Sequence, residues 1–378
     1  MPVYINLPQA SLGTAMVAVG ALAARDIAGH FALPRWAVRA VTLGVGGWLA
    51  CSLDLGLPPE IMNSSHTPAA VWSRAVALLW VGISAGIAIW LRCRSAAGEF
   101  DPSRRRLMQS AGAVAVSAPL AATGYGMYIA QRAPRLTEID VAVAGLHPDL
   151  HGLRMVQISD IHLSPFFSRT DLVRAVDLAN ETKAQIALVT GDLISSAADP
   201  LDECLAELRR LRADAPTLGC LGNHEVYARA ENYCAAKGRA AGIDFLRTEA
   251  RQLRFGRGVL NMAGVDYQRK GLPYLPGAEK LVRPGMTNVL LSHNPDVLPV
   301  AARQGYDVML SGHTHGGQVT VEILHQSISP ARFYTPFVRG LYRVGNTAGF
   351  VTSGLGTVGA PVRISAEPEI ALIRLVNA

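Results

Sequence analysis

Five times between residues 160 and 315, a short apolar run gives way to a side chain that can bind a divalent cation. The sites are Asp160 with His162, Asp192, Asn223 with His224, His293, and His313 with His315. The preceding runs, 154–159, 185–190, 217–221, 288–292 and 307–311, are each followed by Gly, Asn or other polar residues. They read as buried strands ending in loops. In an open α/β sheet ligands gather beyond the carboxyl ends of the strands, so five such ends can deliver their side chains to one crevice. Residues two apart on an extended strand end point to the same side, which lets Asp160 and His162, and likewise His313 and His315, converge.

Ligand type narrows the chemistry. A mixture of Asp, Asn and His suits borderline divalent ions such as Mn, Fe or Zn better than Ca, and no thiolate takes part. Two ions about 3.5–4 Å apart need a shared ligand, and Asp192, with two oxygens directly after Gly191, is the natural bridge. A single His or Gly-Asp pair is more often a turn residue than a ligand. Suitable side chains at five strand ends in one order are not independent accidents, and a dinuclear centre is expected.

The series Asp160-Ile161-His162, Gly191-Asp192, Gly222-Asn223-His224-Glu225, Ser292-His293 and Gly312-His313-Thr314-His315 resembles the motifs of calcineurin-like metallophosphoesterases. The extensions 291–296 and 312–318, with a tail reading Ser353-Gly354-Leu355-Gly356 and then Pro368-Glu369-Ile370, are similar to the bacterial membrane-tethered phosphodiesterase branch. The resemblance covers the chain from about Leu136 onward. It implies Asp160, His162, Asp192 and His315 around one ion, and Asp192, Asn223, His293 and His313 around the other. It further implies that a bridging hydroxide attacks phosphorus in line and that His224 stabilises the transition state or protonates the leaving oxygen. One departure is Ser292 before His293, where Gly is common in the superfamily; the ligand itself is unaffected. Glu225 is expected to cap or position its loop rather than perform chemistry. His147, His151 and His325 lie outside the motifs and read as surface or loop residues.

The fold expected is α/β, two packed β-sheets flanked by helices in a four-layer sandwich, the sheet pairing being implied by the resemblance. Periodicity places helices at 170–181, 200–212, 231–241 and 295–304, between the strands. Asp199-Pro200 is a plausible helix N-cap followed by a first-turn proline, and 341–375 suggests further strands.

Composition changes upstream. Of 378 residues half are hydrophobic, and the excess lies before about Gln131, where Ala, Gly, Val, Leu and Trp dominate. The expected division is 1–132, an all-α membrane region with about four transmembrane helices, and 133–378, the catalytic domain. The candidate spans are 7–24, 38–57, 71–91 and 107–130, each near the roughly 20 residues that cross a bilayer. Arg35 and Arg39, then Asp54 and Glu60, then Arg92, Arg94 and Arg104 to Arg106 give alternating loop charge. By the positive-inside rule this predicts a multi-pass inner-membrane protein, contacting the bilayer through its N-terminal helices, with its catalytic domain on the periplasmic or extracellular face. Ser103 to Met108 also resembles a twin-arginine export signal, and 118–122 a cleavage site; a stop-transfer charge cluster is the simpler reading.

Cys204, Cys220 and Cys234 form no Cys-x-x-Cys pair and are read as free thiols. The formal charge of +6 can attract anionic substrates or headgroups, but no nucleic-acid motif or aromatic-laced basic stripe is present, so no dedicated nucleic-acid partner is expected. Loops 164–169, 267–276 and 326–338, with Phe166, Phe167, Phe333, Tyr334 and Phe337, could choose the substrate or simply pack.

These observations together predict a metal-dependent phosphoesterase acting on a phosphodiester, phosphomonoester or pyrophosphate of a phosphorylated small molecule or lipid. One alternative is a UDP-2,3-diacylglucosamine pyrophosphatase of lipid A synthesis, which an outward-facing domain disfavours. Another class is a non-catalytic metal-binding membrane sensor or scaffold. A transport module lacks a clear intramembrane polar pathway beyond Arg25 and Asp26.

Overall fold

β-Branched and leucine-rich runs of four or five residues, too short for stable helices, are satisfied by pairing laterally with one another. The computed structural model describes residues 7–30, 34–52, 81–89, 91–92 and 134–378, the last without 165, 319, 324–325 and 360–362. The chain divides into two compact units, 1–127 with 359–361, and 128–358 with 362–378.

In the first unit α1 spans Leu7–His30 and α2 Arg35–Ser52, and residues 81–89 and 91–92 are helical. The expected membrane placement is overturned here. Among the described residues no helix is long and apolar enough to cross a membrane. The physical reason is dilution. The α1 sequence includes Gln9, Ser11, Thr14, Arg25 and Asp26, and α2 is only 18 residues long with Arg35, Arg39 and three glycines. Asp26 is paired with Arg25 and Arg92. The fourth candidate span, most of the third, the twin-arginine-like segment and 118–122 lie outside the described residues.

The second unit contains two six-stranded sheets. The first is built from β1 (Arg135–Val143), β2 (Arg154–Ile158), β3 (Ile186–Thr190), β4 (Thr217–Cys220), β5 (Ile243–Phe245) and β14 (Glu369–Asn377), in the order β1-β14-β2-β3-β4-β5. β2 to β5 run parallel, while β14 inserts antiparallel to β2 and parallel to β1. The second sheet is built from β6 (Glu249–Phe255), β7 (Gly258–Gly264), β8 (Thr287–Leu291), β9 (Val308–Ser311), β12 (Gly340–Val344) and β13 (Thr347–Val351), in the order β12-β13-β9-β8-β7-β6. Its four inner strands are parallel and both edges antiparallel. A small hairpin, β10 (Val321–Ile323) with β11 (Gln326–Ile328), stands apart from both.

Period-two alternation sends successive side chains to opposite faces. Met155, Ile186 and Leu188 of the first sheet share one core with Met262, Val289, Leu291 and Leu310 of the second. Their neighbours Val156, Ala187 and Val189 face a core that includes Leu172, Val176 and Leu205 of the helices. Leu290 and Met309 pack with Leu298 and Ala301. Helix, sheet, sheet, helix is therefore the layer order, in agreement with the sandwich expected. β1 and the hairpin β6–β7 had no counterpart among the runs singled out in the sequence.

Helices α3 (Arg169–Glu181), α4 (Leu201–Leu208), α5 (Asn223–Tyr227), α6 (Glu231–Ala240) and α7 (Leu298–Gln304) connect the strands. α3 starts with a capping box between Ser168 and Asp171. The expected Asp199 cap of α4 is replaced by another use of that carboxylate. Asp199 Oδ2 accepts the N–H groups of Ser195 and Ser196 instead, and Pro200 occupies the N-cap without a side-chain bond.

Candidate metal centre

Every motif residue lies at or just past the carboxyl end of β2, β3, β4, β8 or β9. The convergence does not come from extended strands, however. Asp160, His162, Asp192, His313 and His315 all have φ between 47° and 76°, a left-handed backbone that non-glycine residues rarely adopt and that costs about 1–3 kcal/mol each. β2, β3 and β9 each end on a sharp reversal that turns the ligand inward.

Two groups of ligand atoms result, each within 4.8 Å: Asp160, His162, Asp192 and His315, and Asp192, His293 and His313. Asp192 is common to both. Its Oδ2 stands 3.6 Å from His162 Nε2 and 3.0 Å from His293 Nε2. Its Oδ1 accepts the His224 backbone N–H at 2.9 Å. Oδ2 therefore faces both groups, the position expected of a bridging carboxylate. Asn223, the first residue of α5, lies between Gly222 and His224, both of which are packed on Asp192.

Glycines make this approach possible. A Cβ on Gly191 would lie 2.8 Å from His293 Nδ1, one on Gly222 would strike Asp192, and ones on Gly312 and Gly354 would strike Asp160. Side chains are excluded from these positions so that backbone and carboxylate can touch.

The imidazoles are held from behind. His293 Nδ1 lies 2.7 Å from the Thr190 carbonyl and His315 Nδ1 3.2 Å from that of Gly356. A carbonyl only accepts, so each Nδ1 carries the proton and Nε2 points into the centre. His162 Nδ1 meets Ser195 Oγ at 2.9 Å, leaving its Nε2 3.2 Å from His315 Nε2. Glu225, fully buried, accepts from the backbone N–H groups of Gly222, Asp192 and Leu193 at 2.7–3.0 Å, which fixes the loop that presents Asp192.

The donor set fits a cation. Asp160 Oδ2, Asn223 Oδ1 and His293 Nε2 are buried without a hydrogen-bond partner, an arrangement that is costly unless something positive satisfies it. Burial pushes the Asp160 carboxyl up to about 6 and holds the His162 and His315 imidazoles well below their usual range. Burial, with the charge of His293 beside it, lowers His313 to about 3. Burial works against protonation of His293 too, but the Asp192 and Asp160 carboxylates prevail and lift it to about 10. The two carboxylates draw positive charge between them.

His224 sits on the edge of the cluster. Its Nδ1 is 2.7 Å from the Ser195 carbonyl, its ring lies 4.7 Å from that of His162, and 5.5 Å away is Tyr227, which is 59% exposed. Tyr267 stacks near His313 and His293, at 5.6 and 6.2 Å.

Of the residues outside the motifs, His147 accepts the Asp149 N–H within its own turn and His151 that of Asn377 at the end of β14, both structural roles. His325 lies outside the described residues. Phe167 belongs to the core, whereas Phe333 is 80% exposed. Cys204, Cys220 and Cys234 are free and buried.

Two residues at the centre were not legible in the sequence. Gln157 bonds Thr190 Oγ1 and the Ser311 carbonyl, crossing between the sheets beneath the ligands. Arg363 is a fully buried cation behind His315. No short-range signal marks either, apart from a polar side chain inside an otherwise apolar run in the first case.

Residues 153–317 match the calcineurin-like phosphoesterase family. The uncharacterized metallophosphoesterase YkuE of Bacillus subtilis is 30% identical over 285 residues, covering 72% of this chain and 97% of that protein. A transmembrane protein with metallophosphoesterase domain from Danio rerio is 32% identical over 302 residues, covering 76% and 67% respectively. Phosphodiesterase YaeI of Escherichia coli is 27% identical over 288 residues, covering 72% and 99%. A buried Asp and His cluster, set at strand ends where the family match falls, makes the chain a member of the calcineurin-like phosphoesterase family and a metal-dependent phosphoesterase.

Proposed function

We propose that the chain hydrolyses phosphodiesters with two divalent ions, drawn from Mn, Fe or Zn. Asp160, His162, Asp192 and His315 would hold one, and Asp192, Asn223, His293 and His313 the other. The observation that carries this reading is Asp192 Oδ2, which faces both groups of ligand atoms at once. When bound, such ions supply Lewis acidity that acidifies water and draws charge off the phosphoryl oxygens.

The chain's own residues do the rest. The Ser195 carbonyl fixes the His224 ring with Nδ1–H bound, so Nε2 is the nitrogen that handles the proton. Water adds to phosphorus, the ester P–O bond breaks, and the leaving oxygen takes its proton from protonated His224 Nε2. The proton of the attacking water passes to solvent. Tyr227 beside His224 offers an exposed ring to the organic part of a phosphorylated small molecule or lipid. A diester is favoured over a monoester because a relative matched along 99% of its length carries the name phosphodiesterase.

The test is hydrolysis of bis-p-nitrophenyl phosphate and p-nitrophenyl phosphate by the full-length chain with Mn, Zn, Fe or Mg, beside Asp192→Ala and His224→Ala. Diester turnover that needs added metal and vanishes in Asp192→Ala is the expected result. His224→Ala is expected to cost more on an alkyl diester than on the p-nitrophenyl one, whose leaving oxygen needs no proton. Equal loss on both would remove the proton-donor role.

A further inference from the structure

Arg363 is fully buried, one of the largest such side chains in the described structure. A buried guanidinium is expensive to desolvate and is ordinarily matched by a carboxylate. Arg363 makes no ion pair among the described residues, and although burial lowers it to about 10, it remains charged at neutral pH. Its donors go entirely to main-chain carbonyls. Nη1 bonds Ala366 at 2.7 Å and approaches the His315 carbonyl at 3.5 Å; Nη2 bonds Ser353 at 2.9 Å and Gly354 at 3.2 Å. Nε and Nη2 both donate to Gly356.

That last carbonyl is the one that accepts the Nδ1 proton of His315. The segment 353–356 also lines the loop carrying Asp160 and His162. Leu355 N donates to the Ser159 carbonyl at 3.0 Å and Gly356 N to that of Asp160 at 2.6 Å, and a Cβ on Gly356 would lie 2.9 Å from His162 Cβ. His293, in contrast, is anchored by Thr190, and no contact joins Arg363 to the side chain of His293 or His313. The fork therefore reaches the side chains of one group of ligands; toward the other it has only the bond of the His313 N–H to Asp160 Oδ1, at 2.9 Å.

We propose that Arg363 is a positioning residue for one half of the centre: through the Gly356 carbonyl and the 353–356 segment it sets the orientation of His315 and the Asp160–His162 loop, with no direct hold on the side chains of His293 and His313. This inference rests on the two-ion reading above. Its chemistry is geometric. A positive charge near an ion would by itself weaken binding, so the benefit lies in the planar fork that spans several carbonyls, which a lysine cannot reproduce.

The experiment titrates the full-length, metal-stripped chain with Mn²⁺ and counts bound ions, comparing wild type with Arg363→Lys, His315→Ala and His313→Ala. Arg363→Lys is expected to weaken one ion by about 10- to 100-fold, as loss of a ligand-orienting partner does, while the ion lost in His313→Ala stays at wild-type affinity. Wild-type binding of both ions would overturn the proposal. Equal weakening of both would also overturn it, and a lower melting temperature of the metal-free protein beside it would mark a merely structural residue. A wild type that binds one ion ends the two-ion reading yet still decides this one, by whether Arg363→Lys weakens that ion in step with His315→Ala. Independently of any variant, ¹⁵N spectra of the metal-free wild type are expected to show His315 as the Nδ1–H tautomer; the Nε2–H tautomer would refute the proposal even if Arg363→Lys does not fold.

Discussion

The backbone N–H of His224 donates to Oδ1 of Asp192 at 2.9 Å, so one hydrogen bond ties the proposed proton donor to the carboxylate common to both groups of candidate ligand atoms. In Asp192→Asn the amide oxygen keeps that bond, which places the NH₂ group where Oδ2 stood. An amide nitrogen does not ligate. The substitution is expected to abolish binding of both ions with little change in fold, and to lower turnover by more than the about 10- to 100-fold typical of losing an orienting partner. Metal analysis alongside steady-state kinetics checks it.

Glu225 holds three backbone N–H groups on one buried carboxylate. Burial, and then Asp192 nearby, raise its pKa while those amides oppose the rise. In Glu225→Gln an NH₂ group must face at least one N–H donor that then has no acceptor. A destabilisation of about 3 kcal/mol, measured by urea unfolding, is expected, since buried bonds to a charged group are worth about 1.5–3 kcal/mol each and do not simply add. Turnover should fall with it, because the Asp192 loop loses its anchor.

Metal removal should act on stability as well as rate. A ligand bound only by the folded chain stabilises it by about 2.7 kcal/mol at a concentration one hundred times its Kd. A chelator is therefore expected to lower the melting temperature and abolish hydrolysis, with Mn²⁺ restoring both. An unchanged melting temperature would show that the ligand cluster does not hold an ion.

Away from the centre, Glu207 joins α4 to α3 through Arg169, and pairs with Arg210. Those two guanidinium groups hold its carboxyl below the usual glutamate range, with Arg169 the larger influence. A lowered folded pKa means stability that is present above the ordinary value of 4.5 and lost as pH falls through the folded value. Glu207→Gln is expected to be less stable than wild type at pH 7, the gap closing as pH drops below 4.5. The arginines are well exposed, so solvent screening keeps the effect modest. Unfolding curves across pH decide it.

Much of this was legible in the chain itself, for identifiable reasons. The runs 186–190 and 308–311 could be read as strands because a buried parallel strand has no polar face to alternate with. Ligand types at their ends announced the centre because they recur at five successive strand ends, although each alone reads as a turn residue. The left-handed turn at Asp160 was not legible: φ is set by the packing of Gly312 and Gly354 against it, residues more than 150 positions away. Arg363 was hidden for the same reason, as its partners are carbonyls and carbonyls have no letter in a sequence. Among the described residues the membrane reading failed because polar side chains and glycines interrupt α1 and α2, so that neither is long and apolar enough to cross.

β14 occupies the position between β1 and β2, and this bears on how the protein is made. Chains emerge from the ribosome slowly compared with local folding. β2, β3 and β4, with Asp160 and Asp192 at their ends, are synthesised long before the strand that lies beside β2. Until residues 369–377 have left the exit tunnel, β2 lacks its neighbour on that side and the Gly354 carbonyl lacks the Glu369 N–H that it accepts. The nascent chain thus carries an exposed strand edge from the synthesis of β2 until that of β14, the interval in which a holding chaperone matters most.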